Sequence, residues 1–499
     1  MARITITLLP ERRVISGEPG QLLIDALRAG NVVHDAPCGG KGTCGKCRVL
    51  VNGKEELACQ YKLACSIVVT LPDTGDTRIL TSGYGKAVQV DGKNRYALAF
   101  DVGTTTVVCF LMEGATGALL AHAACMNPQS AYGADVISRI EYELEHHDGT
   151  LAAEIRQCMA SLTRQVAEKA GIAPEEITLA SVVGNTAMHH LLLGLDVRPL
   201  VVPPYMPTVR EAMETAADFL PIAPNARLRV LPNIAGFVGA DTVACMEAVD
   251  FDKLEKLTLL VDIGTNGEMV LGDKNRRLAC STAAGPAFEG AKIEFGMRAA
   301  DGAIQHVSLE RGEVVCTVIG GGKATGICGS GLLDALSVLL MAGYLDGSGQ
   351  LHPDVGPPER WRVFNRQPAF DLCDGVLLTQ KDVREVQLAK AAIRAGIELM
   401  AQSLGRDVLE IDSILLAGAF GSYLLPDSAC AIGMLPPMLL HKVHVIGNTA
   451  GEGAKRCAIS EAAYRHSKEL AKGTDFLELA SLPIFQDCYI DMLSLREEE

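Results

Sequence analysis

Residues 38–59 constrain this chain more than any other stretch. They read Cys38-Gly-Gly-Lys-Gly-Thr-Cys44-Gly-Lys-Cys47, with a fourth cysteine in Leu57-Ala58-Cys59-Gln60. Three cysteines sit in one loop at C-x5-C-x2-C spacing. Gly39, Gly40, Gly42 and Gly45 between them allow the backbone to wrap tightly and to aim its N–H groups inward. The flanking sequence supplies a scaffold. Ile4, Ile6 and Leu8 alternate with Arg3, Thr5 and Thr7, the signature of a half-buried strand. Residues 13–16 offer a second strand, and Leu22, Leu23, Ala26 and Leu27 recur at helical spacing. Strands follow at 48–51 and 67–71, with a turn at Asn52-Gly53. This order in about 75 residues predicts a small β-grasp domain.

Four thiolates converging from one side are what a two-iron, two-sulfur cluster requires. The loop resembles the [2Fe-2S] site of ferredoxins. It is one residue longer than the plant-type C-x4-C-x2-C spacing and is more similar to the longer first loop of adrenodoxin-type ferredoxins. Cys38, Cys44, Cys47 and Cys59 are the expected ligands, with Cys65 the competitor for the fourth place. A structural zinc site is the alternative, but such sites usually pair one C-x2-C with another close pair, and this chain has a single one.

At 499 residues the chain has room for two to four domains. Its net charge of −15 argues against a nucleic-acid or anionic-membrane partner, since phosphate recognition needs Lys and Arg. No apolar run approaches the ~20 residues of a spanning helix, and residues 1–7 lack a signal-peptide pattern. Of 16 cysteines, most are scattered singly, which reads as reduced thiols in a cytoplasmic protein.

The expected organisation is a ferredoxin-type domain over residues 1–75, a polar, glycine-rich linker or docking strap over 76–95, a layered α/β body over 96–485 and a C-terminal tail over 486–499. Within the body two segments share a theme. One is Asp101-Val-Gly103-Thr104-Thr105-Thr106. The other is Asp262-Ile-Gly264-Thr265-Asn266-Gly267-Glu268. Each follows an apolar strand and opens a return strand. Ser181-Val-Val-Gly184-Asn185-Thr186-Ala187 is echoed by Val445-Ile-Gly447-Asn448-Thr449-Ala450. These echoes predict a duplicated fold whose halves, meeting near 250–258, face one cleft. Glycine permits close approach to phosphate, hydroxyls and N–H groups bind its oxygens, and the aspartates can hold Mg²⁺ through water. Ile414-Leu-Leu-Ala-Gly418-Ala-Phe-Gly421 ends a further apolar strand in a glycine turn suited to an adenosine ring.

These motifs resemble the acetate kinase, sugar kinase, Hsp70 and actin (ASKHA) superfamily. The fused arrangement closely resembles the ATP-dependent reductive activators of corrinoid proteins in methyltransferase systems. Ala284-Gly-Pro-Ala-Phe-Glu-Gly290 and Gly326-Ile-Cys-Gly-Ser-Gly331 add to that likeness. One departure is the short gap between the domains, where many such activators carry an extra small domain. The resemblance implies an enzyme that reduces cobalt from Co(II) to Co(I), one electron at a time. For one electron, a gap of ~100–200 mV corresponds to ~2–5 kcal/mol, which nucleotide binding and hydrolysis offset through a conformational change. The implied cofactors are a [2Fe-2S] cluster, ATP and Mg²⁺. The implied partners are a corrinoid protein and a low-potential donor such as a ferredoxin or flavoprotein, with a homodimer by family analogy.

Under this reading Asp101 and Asp262 position Mg²⁺ and the attacking water, with Glu268 and Glu289 as further carboxylates. Thr104, Thr105, Thr106, Thr265 and Asn266 bind phosphates on turns shaped by Gly103, Gly264 and Gly267, while Gly418 and Gly421 border adenosine. Two other readings stand beside it: a metabolite kinase with a regulatory iron–sulfur domain, and a non-enzymatic redox-sensing binding module.

Overall fold

The computed structural model describes residues 3–496, apart from 10–11, 31, 33, 35, 37–39, 41, 43–44, 72–79, 265 and 286. Cys38, Cys44 and Thr265 therefore lie outside the described residues.

The N-terminal strand Ile4–Leu9 buries Ile4, Ile6 and Leu8 and exposes the residues between them. It pairs antiparallel with Arg13–Gly17 and parallel with Ile67–Thr70. Arg48–Val51 pairs antiparallel with Ile67–Thr70 on one side and with Lys54–Leu57 on the other. That last hairpin turns through Asn52 and Gly53, both at positive φ, as a two-residue Asn-Gly turn favours. Helix Leu23–Ala29 lays Leu23, Ile24, Ala26 and Leu27 on the sheet. The result is a five-stranded mixed sheet crossed by one helix, a β-grasp arrangement.

Residues 80–95 run along the body as a docked strap. Gly83 bridges to Gly447, and a Cβ there would lie 2.5 Å from the Asn448 backbone, so only glycine fits. The Tyr84, Lys86 and Asp91 amides donate to the carbonyls of Ile446, Ala248 and Ile459.

Two six-stranded sheets form the body. The first has the order Met213–Ala216, Arg227–Val230, Ile177–Val183, Tyr96–Val102, Thr106–Glu113, Leu119–Met126. The second has the order Val443–Gly447, Ser413–Ala417, Thr258–Ile263, Gly267–Gly272, Arg277–Thr282, Asp475–Phe476. In both, the strand bearing the aspartate is antiparallel to the strand that follows it and parallel to the one on its other side. The two aspartate strands are apolar and buried ahead of the aspartate because both their faces are covered. Helices Ala240–Val249 and Thr449–Ile459 pack between the sheets, and residues of both sheets share one core with them, including Phe110, Val243, Val270 and Ala454.

Two expectations need correction. The Gly-Asn-Thr echo does not mark equivalent strands: Ile177–Val183 lies beside the aspartate strand of its sheet, whereas Val443–Gly447 lies one strand further out. Residues from 486 are also not a free tail. Helix Phe485–Asp491 continues into a segment whose Leu495 is fully buried, with its amide bonded to Gly347 and Gln387 Nε2 bonded to the Leu493 carbonyl. Apolar Phe485, Cys488 and Leu495 draw this segment onto the core. Among the described residues, no helix is long and apolar enough to cross a membrane.

Candidate functional site

The hairpin Arg48–Val51/Lys54–Leu57 brings Cys47 and Cys59 together. Arg48 pairs with Leu57, and the Ala58 amide donates to the Cys47 carbonyl at 2.8 Å. The two sulfurs lie 3.2 Å apart and are buried, while Cys65 is exposed. Gly40, Gly42 and Gly45 have positive φ. At Gly42 a Cβ would strike Gln60 Nε2, which itself points at Cys59 Sγ from 3.8 Å. Two adjacent buried thiols behind a tightly wound loop fit an iron–sulfur cluster.

The aspartate turns sit at the same end of the two sheets. Gly103 N donates to the Thr106 carbonyl and Gly264 N to the Asn266 carbonyl, each at 2.9 Å, so both turns are closed, the second one residue tighter than the first. Arg139, fully buried, fixes the first turn through the carbonyls of Thr104 and Gly133, and Asn127 Nδ2 holds the Gly103 carbonyl. Asn185 Nδ2 donates to Thr104 Oγ1 at 2.8 Å. Thr105 Oγ1 donates to Glu289 Oε1 at 3.0 Å. Gly418 has φ +88°, and a Cβ on it would lie 2.3 Å from Asp262 Oδ1, so a side chain here collides with the aspartate.

A cleft of about 240 Å³ opens between these turns. Asp101, Gly103, Thr104, Thr105, Thr106, Asp262, Gly264, Asn266, Glu268 and Gly418 all line it. Gly267 and Gly421 do not. Gly267 faces Thr282 and Ile393, and Gly421 lies within helix Gly418–Tyr423 over Leu416. Sequence reasoning overlooked Asp241, at the start of helix Ala240–Val249, and passed over Asn448 as a mere echo. Asn448 Nδ2 donates to Asp101 Oδ2 at 2.9 Å and to the Leu80 carbonyl of the strap at 3.4 Å. The signal for Asp241 was its place at a helix start behind Gly239, a pattern too common to single out.

Electrostatics define the cleft. Burial pushes Asp101 up to about 6, opposed by the Asn448 N–H. Burial, then the charge of Asp101, pushes Asp262 up to about 6. Burial and the charge of Asp262 take Asp241 up to about 7. Glu268, opposite Asp262 in the sheet register, is raised well above its ordinary value by burial and by Asp241. Four buried carboxyls, three of them raised in part by the charge of their neighbours, concentrate negative charge in the cleft.

Polar residues away from the cleft are structural. His189 and His190 are buried. Burial pushes His189 down to about 3, and His190 Nδ1 meets the Thr186 carbonyl. Thr379 and Asp382 form the capping box of helix Gln380–Ser403. Cys328, buried just before helix Gly329–Met341, lines the cleft with Gly329 and Ser330.

The two centres touch the same segment. Lys46, between Cys44 and Cys47, donates from Nζ to the Ile293 carbonyl at 2.9 Å. Phe288, Glu289, Met297 and Arg298, on either side of Ile293, line the cleft. A second contact joins the domains where Arg28 donates to the Ala131 carbonyl and lies over the Tyr132 ring at 4.8 Å.

Comparison with known proteins agrees with this division. Residues 6–70 match a 2Fe-2S iron-sulfur cluster binding domain, 96–254 the RACo middle region, and 256–499 the C-terminal domain of RACo, the ASKHA domain. The chain is 33% identical to the corrinoid activation enzyme RamQ of Eubacterium limosum, over 98% of both proteins. It is 28% identical to the Co(II) methylated amine-specific corrinoid protein reductase of Methanosarcina barkeri, over 54% of this chain and 52% of that protein. Its structure resembles a solved reductive activator for corrinoid, iron-sulfur protein, with TM-score 0.73 and 28% identity over 99% of this chain and 98% of that one. A ferredoxin-like cysteine loop, a carboxylate-lined cleft between twin sheets and this end-to-end likeness place the chain in the family of corrinoid activation enzymes, the RACo-type reductive activators.

Proposed function

We propose that this protein couples ATP hydrolysis to one-electron reduction of a corrinoid protein, taking its cobalt from Co(II) to Co(I). The observation that carries the reading is the Lys46 contact. It ties the cysteine loop to the segment whose Phe288, Glu289, Met297 and Arg298 wall the nucleotide cleft. A change at the phosphates thus reaches the redox module through one stretch of chain.

Thr104, Thr105, Thr106, Thr265 and Asn266 grip the phosphates, and Gly418 leaves room for the nucleoside. Asp101 and Asp262 orient Mg²⁺, which offsets phosphate charge. Asp241 and Glu268 hold the proton of the attacking water. Cys38, Cys44, Cys47 and Cys59 hold a [2Fe-2S] cluster, which supplies one electron when bound. Cleft closure favours whichever state of the bound corrinoid protein it contacts better, and ATP shifts the equilibrium only by that difference in affinity. The electron donor is a low-potential ferredoxin or flavoprotein. The free thiols among the described residues suit a reducing cytoplasm, and a homodimer through the ATPase body is the proposed assembly. Adding a Co(II) corrinoid protein should raise ATP hydrolysis. An unchanged rate and no Co(I) absorption would reject the reading.

A further inference from the structure

Outside the cysteine loop, a second thiol pair lies at the seat of the ferredoxin-like domain. Cys125, on strand Leu119–Met126, and Cys158, on helix Thr150–Ala170, place their sulfurs 3.1 Å apart. This matches the separation of Cys47 and Cys59, but the surroundings differ. Among the described residues, the one group of three His, Cys, Asp or Glu donors within 4.8 Å of one another is Glu247, Asp250 and His466. Cys125 and Cys158 thus have no third ligand for a metal, and what remains to two thiols in contact is a disulfide. Bond formation needs the sulfurs to close from 3.1 Å to about 2.05 Å.

The pair is reachable and chemically poised. Both cysteines are half-buried and line a cavity of about 270 Å³, together with Glu154 and with Arg28 of the ferredoxin-like domain. The two sulfurs share one S–H contact in which either can be the donor, so either can lose its proton and attack first. Its position also matters. Arg28 stacks on Tyr132 at this cavity, and Tyr132 bonds to Glu154, one helical turn before Cys158. Two residues beyond Cys125, Asn127 holds both the Gly103 carbonyl and, through its own amide, the Thr105 carbonyl. The pair thus lies between the domain contact and the first phosphate turn.

We propose that Cys125 and Cys158 are a redox modification site, oxidised by a low-molecular-weight disulfide to an internal disulfide that locks this contact and slows corrinoid reduction. One of the two thiols, as its thiolate, attacks one sulfur of the small disulfide, whose S–S bond breaks and releases one thiol. The other then gives up its proton and attacks the protein sulfur of that mixed disulfide, releasing the second thiol. Two protein thiols lose two electrons, and one small disulfide becomes two thiols. The bond stands on this geometry alone, while its effect on rate rests on the function proposed above.

The test treats the anaerobic holoenzyme with glutathione disulfide, traps free thiols by acid quench and alkylation, and maps peptides by mass spectrometry. The expected result is a Cys125–Cys158 cross-linked peptide that dithiothreitol reverses, with the visible spectrum of the cluster retained. Co(I) formation should slow by about fivefold, the range of an ordinary coupling between sites, and Cys158→Ser should keep its rate under the same treatment. Recovery of Cys125 and Cys158 both alkylated would overturn the site. A cross-link with an unchanged rate, or equal slowing of Cys158→Ser, would overturn the lock. Absence of Co(I) even from the reduced protein would instead strike the proposed function, and the peptide map would still judge the disulfide.

Discussion

Asp101 and Asp262 lie near the ends of strands that pair alike, antiparallel to the next strand and parallel to the one on the other side, yet their neighbours differ. Asp101 accepts an N–H from Asn448, which also grips the strap at Leu80. Asp262 accepts the weak S–H of Cys245, at 3.7 Å, and faces Glu268 across the hairpin with Asp241 close by. The first aspartate is anchored by an amide. The second stands among excess negative charge. Two turns alike in sequence thus stand in unlike surroundings.

Removing charge should break that comparison most sharply. Asp262→Asn should lower ATP turnover by on the order of 10²–10³, the cost of losing one preorganised charge at a reacting phosphate. Asp101→Asn, whose amide oxygen still accepts from Asn448, should cost about tenfold less. Steady-state phosphate release, with circular dichroism as a folding control, measures both, and a larger loss in Asp101→Asn would reverse the assignment. Gly418→Ala comes next. Its Cβ would collide with Asp262 Oδ1 at φ +88°, so strain of about 1–3 kcal/mol should show as a lowered melting temperature and weaker Mg²⁺–ATP binding by calorimetry. Equal binding by the variant would show that Asp262 has room to move.

A pH titration sharpens the comparison further. The carboxyls of Asp101, Asp262 and Asp241 are raised by burial to about 6, 6 and 7. The folded state therefore holds protons that the unfolded chain gives up near the ordinary value of 3.8. Their contribution to stability is complete below that value and is lost as pH rises through 6 to 7. Protein without nucleotide or metal should lose melting temperature across that window, and Mg²⁺–ATP should restore it. A flat profile would mean the carboxylates do not crowd one another. The smallest effect should come from Lys46→Ala, which removes the bond to Ile293. Basal ATP hydrolysis should persist while corrinoid reduction slows a few-fold, and equal loss of both would deny that the contact carries coupling.

Much of this was legible in the sequence because the cysteine loop and the aspartate turns are local. Their glycines and alternating strands dictate conformation over five to ten residues. What could not be read arises at a distance. Asn448 reaches Asp101 across 347 positions, and Asp241 enters the cleft from a helix start with no special pattern. The Gly-Asn-Thr echo misled because both turns cap a helix facing the cleft, Asn185 and Asn448 each accepting a backbone N–H, although they end non-equivalent strands. The C-terminal segment ends in acidic residues, which concealed the apolar Leu493 and Leu495 that dock it. That Cys59 rather than Cys65 stands beside Cys47 follows from the hairpin register, which spacing alone does not show.

The most direct measurement is the anaerobic visible spectrum of the reduced holoenzyme mixed with its Co(II) corrinoid partner, followed with and without ATP. The account predicts that the Co(I) band grows only when ATP and Mg²⁺ are present and that it is lost with Asp262→Asn. The same band rising at the same rate without nucleotide would contradict it.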